Sequence, residues 1–488
     1  QARVLRDKWR PVVLVRNAAP LPRQGVAILR LTSFLADIKV GIHPDAAAAP
    51  PAKRTTPAIA GVPALQVLSR TVEDELTESP RHYPDDDLVA VTEVAAWLPA
   101  VPPCGVRSFK QVKRSHFAEI PNPVRVDANT ITNSRISVHV REDGIVAFTD
   151  HENGRSIDDL LRWESRVDLG DEYTPSPRGV KFAPRFEWAR VIHRGPLRAA
   201  IELRWSCRNG REHLSMRAQL IVDADARVVR INVEGDNAAV DHRLRLRVAT
   251  DVANPRVFAD AMFGPVERKP LVIPENEARM ELPLRTAPLH RYVSLFAVTR
   301  GATVYSDGLC EYEADDQGSV FITLVRAIGE LSRVDLPERP GNAGWPAKTP
   351  GAQCPGPFGA ELALYIHGPR STAAIDDIER TADEVLLPLT GGTLRSALRV
   401  PGPVFGVKLE GEGLAFSAVK QSEDGEWTVL RCVNLLDEAR TGRWTLGTAI
   451  REVQHARLDE TPVGPPCAVG SSVEFAVNPR AVSTLLVR

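Results

Sequence analysis

The 488-residue sequence has little net charge and no long apolar run, and both absences limit what the chain can do. Its formal net charge is -1, so we expect no basic surface that follows a phosphate backbone, and no nucleic-acid partner. No segment reaches the ~18 apolar residues that a membrane-spanning helix needs. The composition, 43% hydrophobic and 25% charged, is typical of a globular protein. We therefore expect a cytoplasmic protein of about three domains that does not contact a membrane.

Cysteine and methionine are also scarce. The six cysteines stand far apart without a C-x-x-C pair, which excludes a local zinc knuckle. Their even number leaves disulfides open, although free thiols are favoured in a chain of this size. The three methionines do not include residue 1, because the sequence begins Gln1-Ala2-Arg3-Val4. This start is explained either by a trimmed terminus or by a chain cut from a longer polypeptide.

The common short catalytic motifs are missing as well. The sequence contains no Walker loop, no H-E-x-x-H and no G-x-S-x-G. Its eleven histidines are scattered, and none is paired at the spacing of metal ligands. We therefore assign no catalytic residue to this chain and expect no metal or other cofactor bound by it.

Short runs that alternate apolar and polar residues dominate the sequence. Residues 230–234 and 243–248 alternate in this way, which is typical of a strand with one face on a core. Gly235-Asp236-Asn237 lies between them and predicts a turn. Many such strands with turns between them indicate β-sandwiches rather than βαβ units.

One hairpin and one helix are predicted with definite bounds. Residues 136–140 and 145–148 alternate on either side of Asp143-Gly144, which predicts a β-hairpin. Residues 373–385 place four apolar side chains on one face, which predicts a helix. We expect a mainly β fold with few helices.

One loop carries side chains that suit sugar binding. Asp171, Glu172 and Tyr173 lie between Gly170 and the Pro-Ser-Pro of residues 175–177. Carboxylates and a tyrosine can hydrogen-bond to hydroxyl groups and contact a sugar ring. From the chemistry alone, a polar loop between two strands is the simpler explanation.

Several segments, in their order along the chain, resemble the post-catalytic half of glycoside hydrolase family 38 α-mannosidases. No single segment is decisive, but together they run over almost the full length. The segments are residues 13–20, 23–26, 78–85, 149–155, 168–173, 241–245, 306–312, 323–329, 339–346, 349–354, 433–435 and 481–485.

The resemblance implies a fold of β-sandwiches around a large central supersandwich similar to galactose mutarotase. Proline- and glycine-bearing stretches at residues 119–123 and 387–392 suggest the boundaries. We expect an N-terminal β-sandwich over 1–118, a central supersandwich over 119–387 and a C-terminal β-sandwich over 388–488.

The resemblance also implies that the chemistry lies elsewhere. In this family a β/α barrel carries the zinc ligands, the aspartate nucleophile and the acid/base residue, and hydrolysis retains configuration through a covalent mannosyl-enzyme. The barrel's His-x-Asp motif has no counterpart here. By itself the chain is therefore expected to be inactive and to need a catalytic α-mannosidase domain or subunit as partner, where zinc would bind.

The β domains of family members also supply a tyrosine and an arginine to the sugar. The best matches are Tyr173 and Arg326, so the resemblance implies that Tyr173, Arg326, Asp171 and Glu172 contact a mannose-containing carbohydrate. Arg326 is equally suited to a structural ion pair on a strand. His242 is expected to be a framework residue.

Two other functions are compatible with the same fold. The chain can be a free-standing carbohydrate-binding or scaffold protein, which would bind glycans without a partner. A sugar mutarotase is a weaker alternative, because fold alone does not carry function and the sequence identifies no facing His and Glu pair. Assembly into an oligomer also remains open.

Overall fold

Antiparallel β-sheets form nearly all of the structure, as the sequence predicts. The computed structural model describes residues 12–38, 58–79, 82–112, 119–269, 281–394, 402–468 and 470–488. Within these ranges there is one α-helix, and no helix is long and apolar enough to cross a membrane. The described residues contain no β/α barrel.

The first sheet has seven strands, one of which comes from far along the chain. In order across the sheet, the strands are Ala58–Ile59, Gly105–Val112, Val12–Asn17, Thr390–Leu394, Arg23–Asp37, His82–Val101 and Leu65–Ser79. The late strand is antiparallel to one neighbour and parallel to the other. It fits because Gly391 and Gly392 have no side chain: an added Cβ would lie 2.3 Å from the Leu14 carbonyl oxygen or 2.6 Å from that of Arg30.

Two large sheets enclose the central core. The six-stranded sheet consists of Pro177–Phe182, Leu161–Asp168, His242–Ala249, Ser319–Ala327, Glu311–Ala314 and Ala287–Pro288. The nine-stranded sheet consists of Arg185–Arg194, Arg198–Asn209, Glu212–Asp223, Val228–Ala238, Gly356–His367, Gly301–Asp307, Tyr292–Phe296, Arg256–Ala259 and Val266–Arg268. Alternating apolar residues of both sheets meet in one buried cluster. This arrangement is the central sandwich that the resemblance implies.

A smaller sheet closes part of this core. Its strands, in order, are Arg155–Ile157, Val146–Asp150, Ile136–Val140, Thr130–Thr132 and Arg125–Asp127. Val138 and Phe148 from this sheet are buried in the central cluster. The predicted hairpin is confirmed, with Val140 opposite Val146 and Gly144 in the left-handed region at φ +83°.

The α-helix joins the central sandwich to the last one. The predicted helix is confirmed at Thr372–Leu386, and Ser371 caps it by accepting a hydrogen bond from the Ala374 N–H. Ile378, Ala382 and Val385 pack on the nine-stranded sheet. Ile375 packs on the final sandwich, so the two ends of the apolar face contact different sheets.

The chain ends in a sandwich of two small sheets. One contains Val407–Glu410, Arg440–Leu446 and Ser472–Val477, and the other contains Leu414–Gln421, Thr428–Asn434, Val482–Val487, Glu452–Ala456 and Pro462–Ala468. Trp444, Leu430 and Leu485 lie in its core. The region expected as the C-terminal domain, 388–488, therefore first adds Thr390–Leu394 to the first sheet and then forms this sandwich.

The turn predicted at Gly235-Asp236-Asn237 is wrong. These residues lie inside Val228–Ala238, where Gly235 pairs with Met216 on one side and Phe358 on the other. The following strand, His242–Ala249, belongs to the opposite sheet. The turn residues are accommodated in the strand because it pairs on both sides, with the preceding strand Glu212–Asp223 and with the distant strand Gly356–His367, and local propensity does not reveal this pairing.

The cysteines form no disulfide. All six are free thiols, as favoured from the sequence. Only Cys207 and Cys432 are buried, and burial raises the pKa of the Cys207 thiol to about 11 and that of Cys432 to about 12.

Candidate functional site

The loop between Leu161–Asp168 and Pro177–Phe182 carries three of the four predicted site residues, and Asp168 closes its base. The Asp168 carboxylate is buried and accepts hydrogen bonds from the N–H groups of Gly170 and Ser176, both at 2.9 Å. The loop therefore leaves and re-enters the six-stranded sheet at one fixed point.

Asp171 holds the middle of the loop from inside. Its side chain is fully buried, and its oxygens accept hydrogen bonds from the N–H groups of Tyr173 and Thr174 at 3.0 and 2.8 Å. Arg339 donates to the same carboxylate at 2.6 Å, and the Arg333 N–H donates at 2.7 Å. With its oxygens occupied by the protein, Asp171 positions the loop rather than offering a free carboxylate to a ligand.

The electrostatics agree with this structural role. Burial alone would raise the pKa of Asp171, but the hydrogen bonds from Arg339 and from the backbone N–H groups outweigh it and lower the pKa. The side-chain hydrogen bond from Asp171 raises the pKa of Arg339. Asp171 is therefore ionised at neutral pH and paired with a buried guanidinium.

Arg326 lies beside the loop, on the adjacent part of the sheet. Its Nε donates to Asp168 at 3.0 Å, and one Nη donates to the backbone oxygen of Asp171 at 2.7 Å. It is thus an ion-pair partner, one of the two roles expected for it, and it braces the loop. Its side chain is 18% exposed, so part of it remains open to solvent.

Glu172 and Tyr173 are the exposed members of the loop. Glu172 is anchored through its N–H, which is shared between the carbonyls of Glu330 and Leu331 at 3.2 and 3.3 Å. The side chain of Tyr173 is 52% exposed. A Cβ on Gly344 would lie 2.5 Å from the Tyr173 hydroxyl oxygen, so the ring lies directly against the backbone of that glycine.

The segment that supports the ring carries a second exposed aromatic residue. Trp345 follows Gly344 and is 80% exposed. Ser332 fixes this segment, because its hydroxyl accepts the N–H groups of Ala343 and Gly344 at 3.0 and 3.1 Å. Two exposed aromatic rings on adjoining loops, with fixed backbones beneath them, form a surface on which a sugar ring can stack.

The sequence did not indicate the roles of Arg339 and Trp345. Both lie in a segment that carries the family resemblance, but Arg339 is 168 positions from Asp171, and no local pattern connects them. The position of a Trp between Gly344 and Pro346 is the signal in the sequence that could have singled out Trp345.

His242 has a structural role, as expected. It is fully buried, and its Nε2 lies 3.0 Å from the side-chain oxygen of Asn237. Burial lowers its pKa to about 4, so the imidazole is neutral at physiological pH. No group of three or more His, Cys, Asp or Glu side chains in the described ranges is arranged to hold a metal ion, so these residues do not fit zinc.

Comparisons with known proteins agree with the mainly β fold and identify the family. The model of the glycosyl hydrolases family 38 C-terminal domain matches residues 131–330, and that of the family 38 C-terminal beta sandwich domain matches residues 413–485. The first match contains the loop with Tyr173 and also Arg326. The two matches together cover more than half of the chain.

The relatives are longer than this chain. A putative mannosylglycerate hydrolase of Halalkalibacterium halodurans is 27% identical over 337 residues, which cover 63% of this chain and 36% of that protein. An α-mannosidase structure from Enterococcus faecalis V583 superposes with a TM-score of 0.78 at 17% identity and covers 99% of this chain and 56% of that one. A second Enterococcus faecalis family 38 structure gives 0.71 at 17% identity, with 99% and 58% covered.

These β domains, with two exposed aromatic residues on adjoining loops of the central sandwich, are of the class found in glycoside hydrolases. The chain belongs to glycoside hydrolase family 38 and carries the C-terminal domains of that family. It spans about a third of the curated relative's length and somewhat more than half of the two matched structures.

Proposed function

We propose that this chain completes the sugar-binding cleft of a zinc-dependent, retaining α-mannosidase whose catalytic barrel is supplied by another part of the polypeptide or by a partner chain. The zinc would polarise sugar hydroxyls from the barrel side. On this chain, the loop of Tyr173 would form one wall of the cleft and contact a mannose-containing carbohydrate.

The observation that carries this proposal is the rigid display of Tyr173. A buried ion pair, Asp171 with Arg339, fixes the backbone on either side of it, while the ring itself stays exposed. A residue that only filled a gap between strands would not need its neighbours fixed by so many buried hydrogen bonds. Fixed backbone below an exposed ring is what a binding surface requires.

The proposal predicts complementation. The purified chain is expected to release no product from an aryl α-mannoside, and to support hydrolysis when a family 38 barrel polypeptide is added. The physical reason is that the pair of carboxylates needed for glycoside cleavage would be supplied by the barrel, while this chain would contribute only contacts to the sugar. Activity of the chain alone, measured by release of the aryl group, would refute the proposal.

Within the complemented enzyme, Tyr173→Phe is expected to lower kcat/KM about tenfold, because one hydrogen bond to the sugar is lost. The melting temperature should not change, since the Tyr173 side chain is about half exposed. Tyr365→Phe is the control. It also removes a tyrosine hydroxyl, but from the packing beneath the helix and not from this loop, so kcat/KM should stay as in the unsubstituted complemented enzyme. Equal activity of wild type and Tyr173→Phe would show that this loop does not touch the substrate.

A free-standing carbohydrate-binding protein is the second candidate, and the exposed pair of Tyr173 and Trp345 favours it. It differs from the first in predicting glycan binding without any barrel. Calorimetric titration of the chain with mannosides separates the two: tight binding to the chain alone supports this candidate, and absence of heat removes it.

A further inference from the structure

The helix Thr372–Leu386 lies where three parts of the fold meet, beside a cleft of about 730 Å³. Asp376, Glu379 and Asp383 line this cleft. They are three and four residues apart in the sequence, so they lie in one row along the helix. The facing walls come from the first sheet, the central sandwich and the final sandwich, and consist of residues 19–23, Arg291 and residues 408–412 and 414–416.

Two of the three carboxylates attach the helix to the sandwiches that it joins. Glu379 accepts hydrogen bonds from Arg291 at 3.0 Å and from the Tyr292 hydroxyl at 2.5 Å, at the beginning of a strand of the central sandwich. Asp376 accepts the Gly413 N–H at 2.8 Å, in a turn of the final sandwich. The row of acids therefore holds both sandwiches to one helix.

Asp383, the third carboxylate of the row, is held less well. Among the described residues, no ion pair within 4 Å is formed with its side chain. Burial raises the pKa of Asp383 to about 6, and repulsion by Glu379 and Glu384 outweighs what attraction Arg291 and Arg23 provide. The ionised carboxylate is therefore a cost to the closed cleft.

The other ionisable groups around the cleft do not compensate this charge. The free thiol of Cys104, whose pKa is raised to about 11 by burial and by Asp383, stays neutral. On the final sandwich, Lys408 is already paired with Glu410 at 2.6 Å. The charged side chains that complete the lining are Asp376, Arg380, Glu384, Lys408, Glu410 and Glu412. Acids outnumber bases in this set, so it adds negative charge near Asp383.

We propose that Asp383 makes the junction between the helix, the first sheet and the final sandwich respond to pH. With a neutral carboxyl group, the cleft is closed around it. With a carboxylate, the cleft opens enough for water to reach the charge. The helix transmits this change to both sandwiches, because Asp376 and Glu379 attach it to them.

The direction of the response follows from the pKa. The folded value of about 6 lies above the ordinary aspartate value of about 3.9. Such a group destabilises the closed state at neutral pH, and this cost disappears as the pH falls through about 6 towards about 4. The junction is therefore expected to be tighter in mildly acidic than in neutral solution.

Two N–H groups report whether the cleft is closed. The Leu409 N–H donates to the Pro20 carbonyl at 3.2 Å and so connects the final sandwich with the first sheet. The Gly413 N–H donates to Asp376 and connects the final sandwich with the helix. Both bonds would break on opening, and both N–H groups would then exchange with water.

Amide hydrogen exchange of the full chain at pH 7.5 and 5.0, corrected for the intrinsic exchange rates, tests the proposal. With pKa values of about 6 in the closed and about 3.9 in the open state, opening should be about tenfold rarer at pH 5.0. The amides of Leu409 and Gly413 should therefore exchange about tenfold more slowly there. Those of Glu212–Asp223, in the nine-stranded sheet, should not change.

Two variants make the test specific. Asp383→Asn carries a neutral side chain at every pH, so the two amides should exchange slowly at both pH values, within about twofold of each other. Asp377→Asn is the control, because Asp377 lies on the same helix but faces Arg227 at 3.7 Å, away from this cleft. It should keep the tenfold response. No response in wild type, or an equal response in Asp383→Asn, would overturn the inference.

Discussion

Asp171→Ala is expected to destabilise the loop of Tyr173 by about 3–5 kcal/mol, because it leaves a buried guanidinium without its counter-ion. Arg339 is only 7% exposed, and its two donors to Asp171 would lose their acceptor. The N–H groups of Tyr173 and Thr174 lose their acceptor at the same time. Amide hydrogen exchange at these two residues, together with the melting temperature, measures the effect.

A surface pair in the same region provides the control. Asp335 accepts two hydrogen bonds from Arg333 at 2.9 and 2.8 Å, but its side chain is 61% exposed. Asp335→Ala should leave exchange and melting unchanged, because water replaces the lost partner. If both substitutions had the same effect, burial of the Asp171 pair would not be what holds the loop.

The pH dependence provides an independent measurement of the same pair. The pKa of Asp171 is lowered in the folded protein, so its contribution is fully present above the ordinary aspartate pKa of about 3.9 and is lost as the pH falls through the folded value. The stability difference between wild type and Asp171→Asn should therefore be constant from pH 7 to about pH 4 and shrink below that.

The second large effect is expected in the final sandwich, where Trp444→Ala should cost about 3–5 kcal/mol. Trp444 is fully buried, with Phe416 edge-on at 6.2 Å and Phe475 stacked at 6.3 Å between ring centroids. Its indole nitrogen is buried and has no hydrogen-bond partner among the described residues, so the loss comes from the cavity and from ring contacts. Urea unfolding followed by tryptophan fluorescence measures it.

Trp345→Ala is the matched control for that experiment. The substitution is the same, but Trp345 is 80% exposed, so the free energy of unfolding should change by less than about 0.5 kcal/mol. A similar loss in the two variants would contradict the view that packing around Trp444 stabilises the sandwich.

Patterns of local periodicity predicted the elements that depend on neighbours in sequence. The hairpin around Gly144 and the helix Thr372–Leu386 are of this kind, since turn geometry and one apolar face are set within a few residues. The predicted turn at Gly235 failed because its conformation is set by pairing with Met216 and Phe358. For the same reason, local periodicity did not predict the strand Thr390–Leu394. This strand joins a sheet whose other strands lie almost 300 residues earlier in the chain.

By itself, the sequence determined the mainly β fold and the membership of glycoside hydrolase family 38, and through the resemblance it predicted the loop of Asp171, Glu172 and Tyr173 as a sugar contact. The tertiary structure decided how that loop works. It showed that Asp171 is buried in an ion pair with Arg339, whereas Tyr173 is exposed. Burial and strand register depend on contacts between residues that are far apart in the chain. Local sequence patterns therefore do not predict them.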